Sequence, residues 1–185
     1  MKKFFIADTH FNHENIISYC DRPFANAEEM NETLIRNWNS VVSRQDMVYF
    51  LGDFACHSKK ESIIEVVAKL KGRKLLIMGN HDRRYKASWW LKKSGFEEVS
   101  RFPILVEETL ILSHEPIFMS ESMPYVNVFG HVHNNDLYKD ISRHGFCVSV
   151  ERINYTPIEL SEIKNRLANF RGNPDADGAD IPERE

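Results

Sequence analysis

Cysteine is scarce in this chain of 185 residues, and the three that occur form no pattern. Cys20, Cys56 and Cys147 are odd in number and show no CxxC spacing. This argues against a disulfide framework and a thiolate zinc site, and makes a reducing cytoplasm the default. No apolar stretch approaches the ~20 residues of a membrane span, and the opening segment Met1–Ala7 is too short for a signal peptide. Internal repeats and low-complexity segments are missing from the first 170 residues. So is an excess of charge of one sign: 24 Lys and Arg stand against 27 Asp and Glu. Five of those acids and two arginines fall in residues 171–185, which leaves the rest formally neutral. Nothing here announces nucleic-acid binding, although bound metal ions would add positive charge that a residue count misses. The acidic tail 171–185 has almost nothing to bury and is expected to be disordered. Residues 1–170 carry no boundary signal and, in a chain that is 42% hydrophobic, are expected to form one domain.

What is present is a series of short apolar runs. Phe4–Ala7, Met47–Leu51, Leu75–Met78, Leu110–Leu112, Val126–Phe129 and Phe146–Val150 read as mostly buried strands. Between the early ones lie helices with start signals, Asn26 with Glu29 and Ser58 with Glu61. Met30, Leu34, Trp38 and Val41 then recur at helical spacing, as do Ile63, Val67 and Leu70 before a stop at Gly72. In the second half, Pro103–Val106 and Thr109–Leu112 read as a hairpin with Glu107 and Glu108 at its turn. A last helix is signed by Thr156 as cap, Pro157 at the first position and Glu159 completing the box, with Leu160, Ile163, Leu167 and Phe170 on one face. The alternation predicts an α/β sheet with helices packed on it.

Five polar clusters follow apolar runs: Asp8-Thr9-His10, Gly52-Asp53, Gly79-Asn80-His81-Asp82, Ser113-His114 and Gly130-His131-Val132-His133. In open α/β sheets ligands bind beyond the carboxyl ends of strands, where loops converge on a rigid base. Asp and Asn beside Gly are also ordinary turn residues. Histidine has no special turn role, yet five of the eight histidines fall in these clusters. Asp, Asn and His delivered from several strand ends suit divalent metal ions.

Here the chain resembles the calcineurin-like metallophosphoesterases, whose signature runs D-x-H, GD, GNH(D/E), a lone His and GH-x-H. All five stand in order between residues 8 and 133. The opening Asp8-Thr9-His10-Phe11-Asn12-His13-Glu14-Asn15-Ile16 looks like a small bacterial and phage subgroup, which usually has Gly where Asn12 stands. The resemblance implies a four-layer α/β/β/α sandwich with its metal site at the C-terminal ends of the strands. It implies that Asp8, His10 and His133 hold one metal and Asn80, His114 and His131 the other, with Asp53 bridging ions ~3.5–4 Å apart. Imidazole, carboxylate and amide ligands without thiolate suit manganese, iron or zinc, manganese first. Two such ions, two carboxylates and a bridging hydroxide would leave a charge of about +1 facing a phosphate. The hydroxide would be the nucleophile. His81 is then left over for catalysis at the leaving oxygen, with Asp82 its orienting partner or an N-cap. His13 and Arg83 are candidate substrate contacts; the alternatives are an exposed helix-start histidine and a solvated basic loop. His57 and Cys56 carry no assigned role. His144 reads as a turn residue. Trp89 and Trp90 could stack a base only if they line the pocket rather than pack the short helix ending at Gly95.

The leading expectation is a dinuclear metal-dependent phosphoesterase acting on a small phosphorylated molecule or nucleotide, with no membrane partner. A nuclease or phosphodiesterase on polymers is the alternative, and basic or aromatic surface around the site would favour it. A protein phosphatase fits less well, because Gly52-Asp53 is followed by Phe-Ala-Cys-His and Gly79 is preceded by Met78. A non-catalytic scaffold would be expected to have lost ligands, and all seven are present.

Overall fold

The computed structural model describes residues 1–172. Strand β1 (Lys3–Ile6) leads through α1 (Asn15–Tyr19) and α2 (Ala27–Val41) to β2 (Met47–Phe50), and α3 (Lys60–Lys69) leads on to β3 (Arg73–Ile77). A short α4 (Ala87–Trp89) runs into a π-helical turn, Trp90–Ser94, before β4 (Glu98–Ser100). Strands β1 to β4 pair in parallel, with Phe5 opposite Tyr49 and Tyr49 opposite Leu75. β5 (Ile104–Val106), β6 (Leu110–Leu112), β7 (Val126–Phe129), β8 (Ile141–Ser142) and β9 (Gly145–Cys147) make a second sheet in the order β5-β6-β7-β9-β8. Its three central strands are parallel and its two edges antiparallel. β10 (Ile158–Glu159) closes the first sheet beside β1, and α5 (Leu160–Arg171) follows. This is the layered α/β architecture with two sheets that the resemblance implied.

Parallel strands buried on both faces should be almost continuously apolar. β2 is so throughout, β1 after Lys3 and β3 after Arg73 and Lys74, while β7 is buried along its length with Asn127 as its one polar residue. The two sheets meet where Ala7 bridges Ser149, with the Ala7 N–H donating to the Val148 carbonyl at 2.9 Å. The strand ends of both sheets are thereby brought to one side. Beneath them Phe54 is fully buried against Phe50, Trp90 and Phe96, at ring separations of 5.2, 6.1 and 5.5 Å. This aromatic cage fixes the residue next to Asp53.

Asn26 caps α2 as expected, its side chain accepting from Glu29 N–H at 2.9 Å. The expected hairpin also forms, Glu107 and Glu108 taking φ of 52° and 61° at its turn, and His144 sits in the turn between β8 and β9. Two caps differ. Ser58 Oγ donates to the Phe11 carbonyl instead of capping α3. The last helix starts at Leu160, not at Pro157 with Thr156 as cap, because Ile158 and Glu159 pair with β1 and Glu159 binds Lys2 at 2.7 Å. Strands β4, β8 and β10, too short to show a period, were not foreseen. The expected disordered tail lies outside the described residues apart from Arg171 and Gly172. No helix among the described residues is long and apolar enough to cross a membrane.

Candidate metal centre

Each chemical cluster sits directly after a strand. Asp8 and His10 follow β1, Asp53 follows β2, Asn80 and His81 follow β3, His114 follows β6, and His131 and His133 follow β7. The loops turn sharply to aim them. Asp8, His10, Asp53, His131 and His133 all have φ between 50° and 72°, a left-handed region costly to most side chains and one where strain marks functional sites. Asn12 joins them at 64°, taking the conformation a glycine would take there, and its side chain accepts from Asn31 Nδ2 at 2.7 Å. Gly79 is required for closeness: a Cβ there would overlap the Asp53 carboxylate and approach the His114 ring.

Two groups form. Asp8, His10 and His133 bring ligand atoms within 4.8 Å of one another, and so do Asp53, His114 and His131. Asn80 joins the second through Oδ1, 3.0 Å from His114 Nε2. Asp53 Oδ2 lies 3.7 Å from His10 Nε2 and 3.4 Å from His114 Nε2, facing a member of each group. Asp8 and His10 are buried, whereas Asn80 and His131 are exposed, so the second group opens to solvent. Asp8 Oδ1 and His10 Nε2 are buried without any hydrogen-bond partner, a costly state that a cation between them would relieve. The donors present therefore fit divalent metal ions.

The protonation pattern follows from this crowding. Burial pushes Asp8 up to about 6 against the pull of His133 and His114. Burial opposes the charge of Asp53, but the hydrogen bond and charge of His114, with His10 and the His81 N–H, hold it at about 2. Burial likewise disfavours charge on His114 and His133. For His114 the Asp53 and Asp8 carboxylates overcome it and lift the imidazole to about 9. For His133 the hydrogen bonds of Cys20 and Glu151 and the charge of Asp8 lift it to about 10. Burial holds His10 well below its ordinary value, and lowers His131.

Among the remaining expected residues, His81 is half-buried at the mouth. Its N–H donates to Asp53 Oδ1 at 2.9 Å and its Nε2 lies 3.9 Å from Asp53 Oδ2. Asp82 holds no bond to the imidazole. Its buried carboxylate accepts from the N–H groups of Asp53, Phe54 and Gly79 at 2.8–3.0 Å, clasping two ligand loops together. The neighbour of His81 Nδ1 is Cys56 Sγ at 3.1 Å. His13 Nδ1 lies 3.4 Å from His10 Nδ1. Arg83 is exposed and 3.7 Å from Glu115.

The family model for calcineurin-like phosphoesterases matches residues 1–175. The chain belongs to that family. Members of that family are in general metal-dependent phosphoester hydrolases. An uncharacterized protein of Methanocaldococcus jannaschii is 39% identical over 172 residues, covering 88% of this chain and 89% of its own. The Gene 66 protein of Mycobacterium phage L5 is 38% identical over 81 residues, covering 42% of this chain and 38% of its own. The crystal structure of a protein of unknown function from Aquifex aeolicus matches with TM-score 0.70 and 30% identity, covering 89% of this chain and 98% of that one.

In this calcineurin-like phosphoesterase two residues behind the ligands escape the sequence motif. Arg22, buried, donates to the carbonyls of Asp8 and Thr9 at 2.7 and 2.9 Å and to Glu151 Oε1 at 2.7 Å. The same Glu151 oxygen lies 2.9 Å from His133 Nδ1, which fixes the ring and leaves Nε2 for a metal. His114 is set the same way, Nδ1 against the Leu51 carbonyl at 2.8 Å. Glu151 follows the apolar run 146–150 just as the ligands follow theirs, which was its one signal; Arg22 gave none.

Proposed function

We propose that this phosphoesterase hydrolyses phosphate esters with two divalent ions, manganese first, one on Asp8, His10 and His133, the other on Asn80, His114 and His131. Asp53 is shared. The observation that carries this reading is that Asp53 Oδ2 faces a ligand of each group while buried Asp8 Oδ1 and His10 Nε2 lack partners. Bound ions would supply positive charge for phosphate oxygens and a water of lowered pKa for attack. The chain supplies the rest. His81, tied at its N–H to Asp53 and at Nδ1 to Cys56, is anchored beside the cluster with its ring open to solvent, suited to donate a proton to the departing oxygen, an effect worth ~100- to 10,000-fold in rate. His13 stands next to His10 as a further phosphate contact. The metal core would serve a small phosphorylated molecule or nucleotide and equally a polymeric phosphodiester; one further surface feature, argued below, favours the polymer. Three buried, unpaired thiols suit a reducing compartment, the cytoplasm.

The test is a panel of phosphomonoesters and phosphodiesters with manganese, run on wild type, Asp53→Asn and His81→Ala. Hydrolysis should vanish in Asp53→Asn, and His81→Ala should lose activity most on esters with poor leaving groups. A wild type that binds no transition metal, with Asp53→Asn hydrolysing as fast, would sink the reading.

A further inference from the structure

Beyond the metal-ligand cluster lies a groove of about 410 Å³ along Tyr85 and Trp89. Five cations line it, Lys60, Arg84, Lys86, Lys92 and Lys93, and no carboxylate does. None of the five has an ion-pair partner among the described residues. In a chain whose acids outnumber its bases, this is a concentrated patch of unneutralised charge. One of the five, Lys60, is the first residue of α3, at the end of the helix dipole that disfavours cations, beside Glu61.

The aromatic pair packs one side against the core, with the Tyr85 hydroxyl donating to the Ser58 carbonyl at 2.9 Å, and keeps part of its surface on the groove. Trp90 is fully buried and donates Nε1–H to the Asp82 carbonyl at 2.9 Å, anchoring the segment to the site loop. Its neighbour Trp89 is only half-buried and stands 4.8 Å from the Tyr85 ring. The Lys60 ammonium lies 5.2 and 5.5 Å from the Tyr85 and Trp89 ring centroids, a cover that a flexible side chain can withdraw. At its Arg84 end the groove approaches the site through His57. Arg84 Nη1 is 3.3 Å from His57 Nδ1, and the His57 ring is 6.5 Å from the ring of His81.

We propose that this groove binds single-stranded nucleic acid and leads one of its phosphodiesters to the metal centre. Cations interleaved with aromatic faces match a backbone of phosphates bearing bases with free π-faces, which a duplex keeps stacked inside. The proposal rests on the phosphoesterase reading for its chemistry. Water adds its oxygen to phosphorus and releases a proton to solvent, one P–O ester bond breaks, the departing oxygen takes a proton from His81, and His81 regains one from solvent. One phosphomonoester end and one hydroxyl end result.

The experiment follows fluorescence anisotropy of a labelled, hydrolysis-resistant phosphorothioate oligothymidylate of about a dozen nucleotides, with the full-length protein in manganese across a salt series. Wild type should bind, and Trp89→Ala should weaken binding about ten-fold, with Trp89→Phe restoring most of it. The combined Lys60→Ala, Lys92→Ala, Lys93→Ala variant should flatten the log–log salt dependence by about 2. An abasic strand of equal charge should be indifferent to Trp89→Ala. Wild type binding no tighter than the triple variant, or binding duplex as tightly as single strand, would overturn the groove, as would Trp89→Ala weakening the abasic strand equally. Thermal melts check that each variant is folded. A parallel assay on bis(p-nitrophenyl) phosphate separates the two claims. Turnover of that diester without strand binding overturns the groove alone, whereas strand binding without hydrolysis of any ester overturns the phosphoesterase reading alone.

Discussion

Glu151 holds His133 while Arg22 holds Glu151 and the Asp8 and Thr9 carbonyls, so one buried pair steadies ligands from two loops. Glu151→Ala should weaken manganese binding ~10- to 100-fold. It should also lower stability by ~3–5 kcal/mol, because the Arg22 guanidinium would stay buried without its partner. Calorimetric titration with manganese and urea unfolding measure the two effects, and wild-type affinity in Glu151→Ala would refute the orienting role. A second residue-scale outcome concerns pH. With folded values of about 9 for His114 and about 10 for His133, against ~6.5 unfolded, the stabilisation from their charge is complete below ~6.5 and lost as pH rises through the folded values. The melting temperature of chelator-treated protein should therefore fall from about pH 7 to about pH 10. Manganese affinity should rise over the same range, since the ions need unprotonated imidazoles. A melting temperature that climbs through that window would contradict the assignment. At this scale the polar clusters could be read from the sequence and the seven candidate ligands from the family resemblance those clusters carry, whereas Arg22 could not, since nothing local distinguishes a buried arginine from a solvated one.

Between elements, Asp82 is the clasp. Its carboxylate joins the loops after β2 and β3 through three N–H donors, while burial and the charge of Asp53 push it up to about 7. Asp82→Ala would strand three buried donors, each costing ~1–3 kcal/mol. A loss of at least ~3 kcal/mol in urea unfolding is expected, together with weaker metal binding, since Asp53 would no longer be fixed at its N–H. A loss under ~1 kcal/mol would mean that water replaces the carboxylate. The sequence placed Asp82 next to His81 and left it as either an orienting partner of the imidazole or an N-cap; the structure turns the side chain inward onto three backbone N–H groups and leaves Cys56 beside His81. Adjacent residues on a tight loop point apart, and no spacing rule says which way. The α5 start shows the same limit: Thr156, Pro157 and Glu159 make a sound capping box, but pairing with β1 offers Ile158 and Glu159 a better use of their backbone.

At the scale of the molecule, two sheets meet along the Ala7–Ser149 bridge, and every strand-end cluster opens on one rim. If metal ions knit those loops together, chelation should lower the melting temperature by about 5–10 °C, following ~2.7 kcal/mol at a ligand excess of ~100 times Kd and ~2–4 °C per kcal/mol for a chain of this size. Re-addition of manganese should restore it. Differential scanning calorimetry with and without chelator reads this directly, and an unchanged midpoint would mean that the loops are organised by protein contacts alone. Hydrophobic runs and the polar residues ending them determined the longer strands, the hairpin, the main helix faces and the polar clusters that carry the family resemblance, because each is a local pattern in the chain. Which side chains stand behind those ligands, and which cations and rings gather into a groove, only the tertiary structure decided. Those groups are far apart in sequence, up to 129 residues for Arg22 and Glu151, and burial and proximity are properties of packing that no single segment encodes.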